Sequence, residues 1–235
     1  MTQKYNKLLK ILKNYLVLIK IFISILNMDM KNLKYIIFSD FDGTISRKDT
    51  LDIIVDDIIG KEYRIMMDEK VYRGEITNND WLSIIFSKIK ISFPDAIDLI
   101  KNKTNNEPID KYFELFYDKC CKKNVPIYII SSGYKSIICE LLKFIDNQLI
   151  YSNDAYIDKN NNWNLIFNPL NKLEIINKLR REDYKTIYFG DGISDLCVVG
   201  HVDILYAKKN STLEKYCKEN NFDYIGFNDF SEINI

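Results

Sequence analysis

Lys34-Tyr35-Ile36-Ile37-Phe38-Ser39-Asp40-Phe41-Asp42-Gly43-Thr44 is the stretch on which the fold turns. The run up to Ser39 is short and apolar, and it stops at Asp-x-Asp-Gly, which reverses the chain. That combination reads as a buried strand ending at a turn. The same arrangement returns twice. Val125-Pro126-Ile127-Tyr128-Ile129-Ile130 ends in Ser131-Ser132-Gly133, and Lys185-Thr186-Ile187-Tyr188-Phe189 ends in Gly190-Asp191-Gly192-Ile193-Ser194-Asp195.

Other segments fill in the pattern. Strands are expected at Gln148 to Tyr151, Asp203 to Tyr206 and Asp223 to Gly226, with a hairpin tip at Asp158 to Asn162. From Thr50 to Tyr117 the apolar positions take helical spacing, interrupted by Gly60, Gly74 and Pro94, which predicts several short helices. Helices are also expected from Lys135 to Phe144 and from Lys172 to Arg181. Strands alternating with helices specify an α/β fold with a largely parallel sheet.

The composition narrows the function classes. A chain of 235 residues suits one domain with an insertion, or two small domains. Hydrophobic residues at 47% and charged residues at 28% are ordinary globular values. Lys+Arg and Asp+Glu both total 33, so no net field recruits nucleic acid or a membrane surface. The five cysteines make no C-x-x-C pair, no zinc set and no disulfide framework, which points to a reducing, cytoplasmic compartment. His201 is the sole histidine, so a Ser-His-Asp or Cys-His mechanism would have to run through it.

The N-terminus reads differently. Lys4, Lys7, Lys10 and Lys13 precede the apolar stretch Tyr15 to Leu26, in the manner of a leader or anchor. Lys20 interrupts that stretch, which falls short of the ~20 residues of a membrane-spanning helix. No stable membrane insertion is expected. Residues 1–30 are an extension, a leader or a packed helix, and Met28 and Met30 offer later starts.

In open α/β sheets, ligands bind beyond the carboxyl ends of the strands. Asp-Gly alone is a common turn, Ser-Gly can cap a helix, and Gly-Asp-Gly can simply reverse the chain. Taken together and in order, each after an apolar strand, they describe one site.

Asp40-x-Asp42-Gly43-Thr44, the apolar run ending in Ser131, Lys172, and Gly190-Asp191-x-x-x-Asp195 resemble the four motifs of the haloacid dehalogenase (HAD) superfamily. The resemblance covers roughly residues 34–227 and is closest to the phosphoserine-phosphatase-like branch. It implies a Rossmann-like core over 31–48 and 118–235, with a helical cap at 49–117 inserted after the first strand. It also implies a magnesium-dependent phosphatase acting on a small phosphorylated metabolite. Asp40 is then the nucleophile that forms an aspartyl-phosphate, and Asp42 the general acid and later base. Asp40, Asp42 (through its carbonyl) and Asp191 would ligate Mg2+, with Asp195 just behind. Ser131, Ser132, Thr44 and Lys172 would hold the phosphate, Ser132 through its N–H at a helix N-terminus.

Taken alone, Lys172 reads as a solvated helix lysine in a lysine-rich chain; its place among the other motifs is what argues for a role in the site. A phosphomutase shares the nucleophile, but such enzymes commonly carry Glu-Asp where this chain has Gly190-Asp191. Dehalogenases lack the Asp42 partner. A silent regulatory protein on the same scaffold would have lost Asp40, Asp42 or Asp191.

Two features bear on substrate. Asp49 is placed to meet an amine or hydroxyl, or to cap the helix at Thr50. The cap stretch Ile76 to Ile91 holds no arginine to fork onto a carboxylate. The motifs look closer to phosphatases of a methylthio-diketo-pentenyl phosphate in methionine salvage, so a neutral sugar-like or keto phosphate is expected rather than phosphoserine. Trp81 and Trp163 read as packing residues, and the cysteines as buried ones.

Overall fold

The computed structural model describes residues 34–157, 163–166 and 170–235. The readings for residues 1–30 and for the hairpin tip at Asp158 to Asn162 lie outside the described residues. Strands β1 (Lys34–Ser39), β2 (Ile127–Tyr134), β3 (Ile150–Ile157), β4 (Trp163–Ile166), β5 (Tyr184–Gly190), β6 (Ile204–Lys208) and β7 (Ile225–Phe227) form one sheet in the order β4-β3-β2-β1-β5-β6-β7. The pairs β1–β2, β2–β3, β5–β6 and β6–β7 are parallel, while β4 returns antiparallel along β3. The expected α/β fold is the observed one.

β1 sits at the centre because its side chains serve both faces. Ile37 packs with Phe113, Phe116 and Phe230 on one side. Ile36 and Phe38 pack with Ile176, Val198 and Leu213 on the other. Residues i and i+2 share a face of a strand, so an uninterrupted apolar run is what a doubly covered strand requires. The covering helices are α5 (Phe113–Lys122) and α6 (Lys135–Leu141), and α7 (Lys172–Leu179) and α8 (Thr212–Glu219).

Between β1 and α5 the chain inserts four helices: α1 (Thr50–Val55), α2 (Lys61–Tyr72), α3 (Asn78–Lys88) and α4 (Phe93–Lys103), with a π-helical turn at Asp56–Gly60. Three of the four starts have a side-chain cap, and α2 follows the π-helical turn without one. Asp49 accepts from Asp52 N, Thr77 and Asp80 form a reciprocal capping box, and Ser92 caps α4 ahead of Pro94. Ile54, Trp81, Ile85, Ile97 and Ile100 give the insertion its own apolar centre, which Tyr134 and Ile137 join from the sheet side. The segments entering and leaving it run side by side. Ser46 bridges Ile109, Asp110 N donates to Ile45 O at 2.8 Å, and Arg47 N donates to Pro108 O at 3.0 Å.

Several expected boundaries move. β2 does not stop at Ser131; it continues to Tyr134 with a slip of register between those residues. Ser132 therefore lies in a strand bulge and not at a helix N-terminus, since α6 starts at Lys135 with Tyr134 as its cap. The cysteines are all free, but Cys121 and Cys197 are exposed, against the expectation of burial. Among the described residues no helix is long and apolar enough to cross a membrane.

Candidate active site

β1, β2 and β5 end side by side, and the first strand order reversal of the sheet falls there. Asp40 N donates to Phe189 O at 2.9 Å, which ties the end of β1 to β5. Beyond it the chain coils tightly, with Thr44 N, Ile45 N and Ser46 N all donating to Phe41 O. Gly43 takes φ 77° in that coil, and a Cβ there would stand 2.3 Å from Asp191 Oδ2. Only glycine serves both needs. The turn thus delivers Asp40, Asp42 and Thr44 to one edge, where Thr44 Oγ1 donates to Asp191 Oδ1 at 2.8 Å.

Asp42 is held from the insertion. Its Oδ1 accepts from both the N–H and the hydroxyl of Thr50, each at 2.8 Å. On its other side Gly133 approaches so closely that a Cβ would lie 2.2 Å from Asp42 Oδ2. The β2 bulge makes that approach, and Ser131 Oγ accepts from Gly133 N at 3.0 Å within it.

Lys172 is no solvated lysine. It is 2% exposed, at the start of α7, with Nζ 2.6 Å from Asp195 Oδ1 and 3.0 Å from Asp40 Oδ1. Asp195 is fully buried and engaged on both oxygens. Oδ1 also accepts from the Tyr188 hydroxyl at 2.5 Å, and Oδ2 accepts from Asp191 N at 2.9 Å and Gly192 N at 2.8 Å. Asp40 Oδ1 differs: Lys172 meets it as an ion pair, and among the described residues no directed hydrogen bond reaches that buried oxygen.

The electrostatics follow from this crowding. Burial pushes the Asp40 carboxyl up to about 7; Lys172 opposes, while Asp195 and Asp191 add to the rise. Burial likewise lifts Asp191 to about 6 against its bond from Thr44. Asp42 stands well above the usual carboxylate range, from burial and then the Asp49 charge, with Thr50 opposing. Burial pulls Lys172 down, but Asp40 and Asp195 more than offset it and hold the ammonium charged.

Asp40, Asp191 and Asp195 each bring a carboxylate oxygen within 4.8 Å of the others. Lys172 is one positive charge among three carboxylates, and Asp40 Oδ1 lacks a directed donor. A hard divalent cation fits that donor set. With Asp195 saturated by protein donors, Asp40 and Asp191 are the carboxylates free to hold it.

Asp40, Asp42, Asp191, Ser131 and Ser132 line a cleft of about 470 Å³, whose walls include Leu51, Trp81, Leu82, Tyr134, Asn153 and Leu170. Thr44, Lys172 and Asp195 stand behind that lining. A cavity of about 520 Å³ along α1 and α2 is slightly larger, but it holds none of the strand-end residues and its Asp52 and Asp56 pair with Arg64. The chemistry belongs to the smaller cleft. Asp49 lines it and also caps α1. Trp81 has two parts as well, packing within the insertion with Nε1 donating to Asp68 while presenting an edge to the cleft.

A model of the family described as haloacid dehalogenase-like hydrolase matches residues 37–199, which takes in every one of these groups. The chain belongs to the haloacid dehalogenase-like hydrolases. Among curated members of similar sequence are three relatives. Pdp3-interacting factor 1 of Schizosaccharomyces pombe is 28% identical, over 84% of this chain and 92% of its own. Polyol phosphate phosphatase PYP1 of Saccharomyces cerevisiae is 29% identical, over 85% and 91%. The 2-hydroxy-3-keto-5-methylthiopentenyl-1-phosphate phosphatase of Bacillus pumilus is 27% identical, over 79% and 83%. A phosphoserine phosphohydrolase-like protein from Francisella tularensis has the same fold, with a TM-score of 0.62 at 21% identity over 84% of this chain and 97% of that one.

Three residues of this hydrolase's site escape a sequence reading. Tyr188 looks like one more apolar strand position, Thr50 like a helix start, and Asn153 like one of many asparagines. The only available signal was position. Tyr188 lies two residues before Gly190, and on a strand that alternation sets its face.

Proposed function

We propose that this hydrolase is a magnesium-dependent phosphatase that cleaves phosphate monoesters of small, otherwise uncharged sugar-like or keto compounds through an aspartyl-phosphate on Asp40. The observation that carries the reading is the pairing of Asp40 and Asp42 in one cleft with different surroundings. Asp40 faces Lys172, which favours its ionised form. Asp42 is held by Thr50 and has its carboxyl raised well above the usual range, the state a general acid needs near neutral pH.

In this mechanism the Asp40 carboxylate attacks phosphorus as Asp42 gives its proton to the departing ester oxygen. Asp42 then takes a proton from the water that hydrolyses the acyl phosphate. Ser131 and Ser132 hold phosphate oxygens from the bulge, and Lys172 favours the ionised form of Asp40 and orients it while it offsets phosphate charge. Asp191 and Asp40 would hold magnesium, which when bound supplies positive charge to the phosphate oxygens. Asp195 fixes Lys172 and the Asp191-Gly192 backbone.

Among the described residues the cleft lining includes no arginine or lysine, so a carboxylate on the substrate would meet no cation there. The similar chains named for a polyol phosphate and for a hydroxy-keto phosphate support a neutral ester.

The test is hydrolysis of an aryl phosphate with and without magnesium, in wild type and Asp40→Asn. Turnover is expected only with the metal and only with Asp40. An Asp40→Asn enzyme that kept a tenth of wild-type kcat would show that another group attacks. A preference for phosphoserine over neutral esters beyond about tenfold, roughly 1.4 kcal/mol, would overturn the substrate class.

A further inference from the structure

Lys208 ends β6, opposite Phe227 of β7. The sheet order places β5 between β6 and β1, so a side chain that runs from Lys208 to the loop after β1 crosses the end of the strand that leads into Asp191. Lys208 makes that crossing. Its Nζ donates to Thr44 O at 3.3 Å, lies over the Phe227 ring at 5.1 Å from the centroid, and stands 4.0 Å from Asp110 Oδ2. The side chain is 24% exposed, and burial pulls the ammonium below its ordinary value against the charges of Asp110 and Asp191. Thr44, in turn, is fully buried, and each of its polar groups is engaged. Its N–H donates to Phe41 O, its hydroxyl donates to Asp191 Oδ1 at 2.8 Å, and its carbonyl accepts from Lys208. Among the described residues that hydroxyl is the one directed donor to the Asp191 carboxylate. Threonine is stiff at χ1, so the direction of the hydroxyl follows the backbone that carries it.

We propose that Lys208 is a positioning residue: by holding the Thr44 carbonyl it aims the Thr44 hydroxyl at Asp191 Oδ1, and so sets the carboxylate that is to hold the metal. This rests on the magnesium assignment in the phosphatase reading above and adds the group that orients one of the ligands. Two observations distinguish it from a general brace. The coil after β1 makes no use of Thr44 O, because Thr44 N, Ile45 N and Ser46 N all converge on Phe41 O, and Lys208 is what meets that carbonyl. Lys208 is also a cation near a carboxylate that is to bind a cation, so its charge taken by itself opposes the metal. Position and charge therefore act on metal affinity with opposite signs, and a neutral replacement tells them apart.

The experiment titrates magnesium chloride into substrate-free enzyme by calorimetry, for wild type, Lys208→Met, Thr44→Val and the double variant. Methionine keeps an unbranched, flexible stem without the donors or the charge. Lys208→Met is expected to weaken magnesium binding by about tenfold. The magnesium needed for half-maximal hydrolysis of an aryl phosphate should rise by the same factor, with kcat recovering at saturating metal. In the Thr44→Val background Lys208→Met should weaken binding little further, because the hydroxyl that it aims is already gone. Unchanged affinity in Lys208→Met overturns the proposal and marks a brace, even if Tm falls. Tighter binding overturns it as well and marks a charge effect. A full further tenfold loss on top of Thr44→Val would show that the effect does not run through Thr44, which also overturns it. If Lys208→Met does not fold, Lys208→Gln, which keeps a polar tip, carries the same comparison. Wild type that binds magnesium yet cleaves no phosphate ester would bring down the phosphatase reading and leave this inference standing; wild type that binds no magnesium would bring down both.

Discussion

Asp191 is pulled two ways, and its replacement should separate stability from activity. Burial lifts its carboxyl to about 6, so the folded chain holds this proton more firmly than the unfolded one. Stability from such a group is complete below the unfolded value near 3.8 and is lost as pH rises through about 6. In chelator, Asp191→Asn should therefore gain in Tm relative to wild type as pH climbs from 4 to 7. Its hydrolysis should fall at the same time, with partial recovery at high magnesium. A Tm difference that stays flat across this range would show that the carboxyl is not strained. Tyr188→Phe removes one donor from a buried, charged acceptor, at a cost of about 1.5–3 kcal/mol readable by urea unfolding. Asp40, Asp42 and Asp191 were legible because they follow apolar strands at turns that contain glycine. Tyr188 and Thr50 were not, because their roles are set by which side chain faces them across the sheet or from the insertion.

At the scale of elements, the β2 bulge has the most consequence. Asp42 is pinned by Thr50 on one side and met by Gly133 on the other, so it has little room to retreat. Gly133→Ala should displace that carboxylate and lower kcat by at least about tenfold, or ~1.4 kcal/mol of transition-state stabilisation. Circular dichroism and Tm should change little; a large loss of Tm would show that the bulge itself had failed. The displaced boundaries have similar local causes. The strand expected from Gln148 begins at Ile150 because Asp146 accepts from Gln148 N and holds a 3-10 turn first. The helix expected to reach Phe144 stops at Leu141, since Leu142 and Ile145 are drawn into the core. Apolar periodicity announces an element; capping bonds and burial decide where it ends.

For the molecule as a whole, the aromatic centre beneath β5 dominates stability. Phe189 is fully buried and meets Phe116, Tyr206, Phe227 and Phe230 with ring centroids between 4.6 and 5.8 Å. Phe189→Ala should cost about 3–5 kcal/mol, a large part of the 5–15 kcal/mol that holds a typical domain. Urea unfolding should show a lower midpoint, and a loss under 1 kcal/mol would mean that the cluster closes over the gap. The insertion is a separate matter, because its two connectors lie paired at Ser46 and Ile109. A segment that leaves and re-enters at one doorway can lengthen, shorten or be exchanged without parting the strands that hold Asp40, Ser131 and Asp191. Beyond Thr50, whose N–H and hydroxyl hold Asp42, descendants of this chain can therefore change what they recognise by trial and error in one span, while the strand-end carboxylates are inherited untouched.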